Sequence, residues 1–168
     1  MRKLLLALVV VAFVPVSCAR SSEPPNNLVD VLQSDGRFSV LLQIVRHDAA
    51  VRFFDFMTSN KDLTLFAPSD EAFDALPPTE LQAILEDRDK IRDLLAHHLA
   101  EPTLRLADLK ARARSDDPLL STGGCCLVRL ALDGDRLMVN NATVVEADIE
   151  ASNGVIHIVD QVIDSVPI

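Results

Sequence analysis

The sequence predicts an α+β fold, with helices gathered in the first half of the chain and strands in the second. Three observations carry that prediction. Apolar residues recur at spacings of three and four between Leu28 and Leu99, the period of helices that bury one face. After Pro102 the pattern changes to short alternating or continuous apolar runs, which is how strands read. Those runs are separated by Gly124, Asp133-Gly134, Asn140-Asn141 and Asn153-Gly154, residue types that supply the positive φ angles of tight turns.

The N-terminus sets the compartment. Arg2 and Lys3 precede the run LLLALVVVAFV and the small residues of VSCA, the order of a secretory signal peptide over residues 1–19. The apolar run from Leu4 to Val16 is broken by Pro15 and falls short of the roughly 20 residues that span a bilayer. Two processing routes fit: cleavage after Ala19, or a bacterial lipobox that makes Cys18 the lipidated first residue. Pro15 stands where a lipobox prefers Leu, yet a lone Cys followed by the polar stretch RSSEPPNN favours the lipoprotein. Membrane contact is expected only through that anchor. Residues 20–27 read as a flexible tether, and residues 28–168 as a single domain, long enough for one core and too short for two.

Between Leu28 and Met57 the periodicity predicts two short amphipathic helices broken near Asp35-Gly36. Leu63 to Ala67 is an apolar run stopped by Pro68, a buried strand, after which Ser69 or Asp70 can cap a short helix carrying Ala72 and Phe73. Thr79 and Gln82 have capping-box spacing, and the helical pattern from there to Leu99 breaks near Asp87. The segments TLRLADL, CLVRLAL, RLMVN, ATVVEADI and GVIHIVDQVI read as strands, with the hairpin at Asp133-Gly134 the clearest turn.

Three segments in order resemble the signature blocks of fasciclin domains: TLFAPSDEAF at 64–73, LLAHHLAEP at 94–102 and NGVIHIVDQVI at 153–163. The flanking VLQSDGRFSVLLQIV and VNNATVVEADIEASNG extend the likeness from about Leu28 to Ile168. Thr64, Phe66, Pro68, Asp70, Phe73, His98, Asn153, Gly154 and His157 carry it. His97 stands where the family usually has Tyr, and Asn141 where it usually has Gly. The resemblance implies a compact wedge of two β-sheets with several helices from the N-terminal half packed against it. It also implies a role in adhesion, with no shared catalytic chemistry and no cofactor.

The remaining features narrow the function. Losing the leader removes Arg2 and Lys3 and takes the formal charge from −9 to −11, which argues against nucleic acid as a partner. Trp and Tyr are absent and the seven Phe sit mostly in apolar segments, so platforms for stacking sugars or bases are missing. Cys125 and Cys126 are adjacent and Cys18 belongs to the leader, which is no disulfide framework. His97 and His98 point about 100° apart on a helix and cannot share one ion. His98 is expected to satisfy a buried group near Pro68-Ser69-Asp70, His97 to lie at the surface, and His157 to be a half-buried sheet histidine. No residue is assigned to catalysis or to a metal. The basic stretch Arg105, Lys110, Arg112 and Arg114 reads as a solvated loop, because Asp108, Asp116 and Asp117 accompany it. Asn141-Ala142-Thr143 is a sequon that matters only in a eukaryotic secretory pathway.

Glu146-Ala147-Asp148-Ile149 resembles the Asp-Ile element that animal matrix members present to integrins, with Ala147 in place of Pro and Glu150 in place of an apolar residue. Asp148, Ile149 and Glu150 form the candidate interaction surface. The opposing structural reading has Ile149 packing inward and Asp148 capping a turn. The expected function is an exported module that binds a protein or polysaccharide at the cell surface, envelope or matrix. The alternative is a periplasmic small-ligand or lipid carrier, whose mark would be an apolar pocket of several hundred Å³ between helices and sheet.

Overall fold

The computed structural model describes residues 26–59, 62–123 and 126–163. The leader with Cys18, most of the expected tether, and Cys125 lie outside that range. Helices α1 (Leu28–Asp35), α2 (Ser39–Val45) and α3 (Val51–Thr58) come first, with a 3-10 turn at Asp48–Ala50. Strand β1 (Leu63–Pro68) leads into α4 (Asp70–Asp74), α5 (Pro78–Glu86) and α6 (Arg88–His98). The rest is β2 (Leu99–Ala100), α7 (Leu106–Ala113), β3 (Leu119–Thr122), β4 (Cys126–Asp133), β5 (Arg136–Val139), β6 (Ala142–Ala151) and β7 (Gly154–Val159). The α+β class and the helix-first order hold.

Local chemistry explains most boundaries. Asn27 and Asp30 form a capping box at the start of α1, and Gly36 ends it at φ 84°. Asn26 accepts a hydrogen bond from the Ser152 amide, so the last two residues of the expected tether are held to the domain. Asp87 closes α5 and opens α6, where its carboxylate accepts from the Asp89 and Lys90 amides.

The strands pair in sequence order and then close, β7 returning to β1, so the expected two-walled β architecture seals into a barrel. Six of the pairings are antiparallel; β1 and β7 run parallel from Leu63↔Gly154 to Pro68↔Val159. Gly154 is required there, because a Cβ would stand 2.1 Å from the Leu63 carbonyl oxygen. The β1–β7 pair divides two cores. Leu63, Leu65, Ala67, Ile156 and Ile158 face the helices, while Phe66 and Val159 face the barrel interior with Leu120, Val128, Leu130 and Val139. Burial on both faces is why β1 reads as a continuous apolar run rather than an alternating one.

Several expectations are corrected. Residues 28–58 hold three helices, the third starting from the 3-10 turn. Residues of TLRLADL form the start of α7, not a strand, so Lys110 and Arg112 lie on a helix with Arg105 and Arg114 at its two caps rather than in a loop; β2 and β3 were not foreseen. The Thr79–Gln82 capping box does not form: α5 begins at Pro78, and Gln82 bonds Glu86 instead. Positive φ at the β5–β6 turn falls on Asn140 at 53°, not on Asn141. Asp70 does not cap its own helix; its carboxylate accepts from the Ser39 and Val40 amides at 3.1 and 2.9 Å, capping α2.

Candidate functional site

The expected interaction surface lies on β6, where pairing with β7 slips twice between Val144 and Ile149. Asp148 occupies the slip at φ 59°, a left-handed conformation that Asp tolerates better than most residues. Its carboxylate accepts from the Leu106 amide at 2.8 Å, so it caps α7 across the molecule. Asp108 completes that helix start by accepting from the Arg105 amide. The Asp148 amide donates to Nδ1 of His157 at 3.3 Å, and Nε2 of His157 donates to the Leu104 carbonyl at 2.8 Å. This pattern is satisfied only by the neutral imidazole. Burial lowers the His157 pKa, against the hydrogen bond to Leu104 and the nearby Asp148 charge, which raise it. The histidine is completely buried rather than half-buried, and its ring lies 5.7 Å from that of Phe66.

Thr64 grips the same crossing segment. Its hydroxyl donates to the Pro102 carbonyl and accepts from the Leu104 amide, both at 2.8 Å. Asn153, expected at a tight turn, is buried there: Nδ2 donates to the Met57 and Ser59 carbonyls, and Oδ1 accepts from the Leu28 amide. His98 is fully buried too, but its partner is not the Pro68-Ser69-Asp70 turn. Nδ1 donates to the Leu94 carbonyl, and Nε2 accepts from the Ile163 amide at 3.1 Å. Desolvation pushes its pKa down to about 4. His97, expected at the surface, is only 9 % exposed and donates from Nδ1 to the Asp93 carbonyl.

On the outside of β6, Glu146 pairs with Arg37 at 2.9 Å and Glu150 with Arg105 at 2.6 Å. Lys110 pairs with Asp135 at 2.8 Å and Arg112 donates to the Leu119 carbonyl, so much of the basic stretch is spent within the molecule. Ile149 packs against the helical core. Between these groups Val145 stands 61 % exposed, the most exposed large apolar residue among those described. Sequence reasoning missed Val145, since simple alternation along ATVVEADI gives no sign of the register slip.

A second feature is a half-open cleft of about 890 Å³ between the 3-10 turn, α3, α6, β2 and β3, with Phe53, Phe56 and Leu99 on its walls. A smaller concavity of about 480 Å³ is lined by Glu80, Lys90, Asp93 and His97. Among the described residues no cluster of three or more His, Cys, Asp or Glu is placed to hold a metal ion, and no helix is long and apolar enough to cross a membrane.

The barrel, the helical cap and the residues that tie them define a recurring domain scaffold. The chain belongs to the fasciclin domain family, whose pattern matches residues 36–165. It is 33% identical to protein sll1483 of Synechocystis over 81% of this chain and 72% of that one. It is 35% identical to transforming growth factor-beta-induced protein ig-h3 of Oryctolagus cuniculus over 83% of this chain but only 19% of that longer protein. The fold matches a FAS1 domain pair from the insect cell adhesion molecule fasciclin I, with a TM-score of 0.62 and 24% identity over 77% of this chain and 46% of that one.

Proposed function

We propose that the protein is an exported, non-catalytic adhesion module that binds a protein or polysaccharide partner at the cell surface, envelope or extracellular matrix. One observation supports this reading most: the β6 segment around Asp148 is pinned from beneath by Leu106 and His157, while Val145, Glu146 and Glu150 face outward. Interaction residues tend to sit at irregular segments of a rigid scaffold. The surface expected at Asp148, Ile149 and Glu150 therefore shifts along the strand, because Asp148 and Ile149 serve the fold. An affinity capture of envelope material on the mature chain tests this. Val145→Ser combined with Glu150→Ala should abolish retention of the partner with the unfolding free energy unchanged within about 0.5 kcal/mol, the usual range for surface changes. Retention by the double variant equal to that of the parent chain would refute the assignment.

The same proposal places lipid on Cys18. Mass spectrometry of the mature N-terminus should find a diacylglyceryl-modified Cys18; an unmodified chain starting at Arg20 would show ordinary cleavage instead.

A further inference from the structure

The cleft beside α3 lies on other elements than β6, and none of its lining residues belongs to the 145–150 segment. We propose that it binds a single-chain anionic amphiphile, with the acid group at Arg52 and the aliphatic chain along Phe53, Phe56 and Leu99.

The helix α3 spends its apolar residues unusually. Only Met57 of its eight residues is buried, while Val51 is 53 % exposed and Phe53 and Phe56 are half-buried. Phe56 is three residues from Phe53 and four from Arg52, so the three side chains share one helix face, and all three line the cleft. The buried Leu99 also lines it. On the sheet side, Gly123 leaves bare backbone: its amide donates to the Leu99 carbonyl, and a Cβ there would lie 2.6 Å from that of Ala96. The volume, about 890 Å³, suits a small molecule with an extended apolar part.

Charge selects the head group. Asp48 pairs with Arg88 and Arg92 with Asp89, and Glu101 is also partnered. Among the described residues the Arg52 side chain has neither an ion pair nor a hydrogen bond, although the chain carries a formal charge of −9. A guanidinium left without a counter-ion beside two half-buried Phe rings offers a carboxylate a charge-assisted pair next to an apolar wall.

Calorimetric titration of the mature chain with dodecanoate, and separately with neutral dodecanol, tests the proposal below the micellar range. Dodecanoate should bind with one-to-one stoichiometry, and Arg52→Gln should weaken it about tenfold while leaving dodecanol unaffected. Ser121→Trp, which fills the cleft from an exposed strand position, should abolish binding of both with an unchanged unfolding midpoint. Absence of dodecanoate binding, or binding indifferent to both variants, overturns the site. Equal affinity for dodecanol and dodecanoate overturns the anionic class. Neither result bears on partner retention by Val145 and Glu150.

Discussion

Asp148 shows how a residue can resemble a recognition element and yet serve the fold. Its neighbours in sequence gave two readings, a presented acid or a cap, and the structure selects the cap: the carboxylate holds the first amide of α7 while the backbone turns through φ 59°. Both features make Ala costly here, since loss of a cap costs about 1 kcal/mol and a left-handed Ala about 1 kcal/mol more. Asp148→Ala should therefore destabilise by about 2 kcal/mol in urea unfolding. Asp148→Asn, which keeps an acceptor and tolerates the conformation, should lose less than half of that. Equal losses in the two variants would contradict this account and point instead to the negative charge of Asp148. The partner of Asp148 was invisible in the sequence because Leu106 lies 42 residues away and was read as part of a strand.

At the scale of elements, periodicity located what lies within one segment and failed where tertiary contacts decide. The breaks at Asp35-Gly36 and Asp87 and the hairpin after Asp133 rest on local chemistry, and they stand where expected. TLRLADL alternates like a strand, yet Asp108 and Asp148 together cap a helix there. The two-residue β2 carries too little pattern to be seen. His98 links the last turn of α6 to Ile163 beyond β7, and only its neutral form does so: one nitrogen donates and the other accepts. Its folded pKa, about 4, lies below the ordinary 6.5. As pH falls from 6.5 towards 4 the unfolded chain takes a proton that the folded chain refuses, so stability present above pH 6.5 is progressively lost. This group adds a slope of up to about 1.4 kcal/mol per pH unit in that window. Burial shifts His157 in the same direction. Nitrogen-detected NMR at pH 5 should find the His98 ring uncharged with the proton on Nδ1; a doubly protonated ring in the folded protein would contradict the assignment.

For the whole molecule, the sequence made the class and the signature residues legible, but not what those residues touch. Thr64, Asp70, His98, Asn153, Gly154 and His157 each join segments far apart in the chain, and two of them tie helices to the segment around β7: Asn153 holds α1 and α3, and His98 holds α6 to Ile163. Under the proposed function, partner binding is then left to what this scaffold presents outward. The separation of scaffold from surface is most directly tested by unfolding His157→Gln in urea while following partner retention under conditions where the variant is folded. Loss of the link between Leu104 and Asp148 from a buried site should cost about 2 kcal/mol, with retention equal to that of the parent chain. A variant of unchanged stability that no longer retains the partner would show His157 to be a binding residue and the account to be wrong.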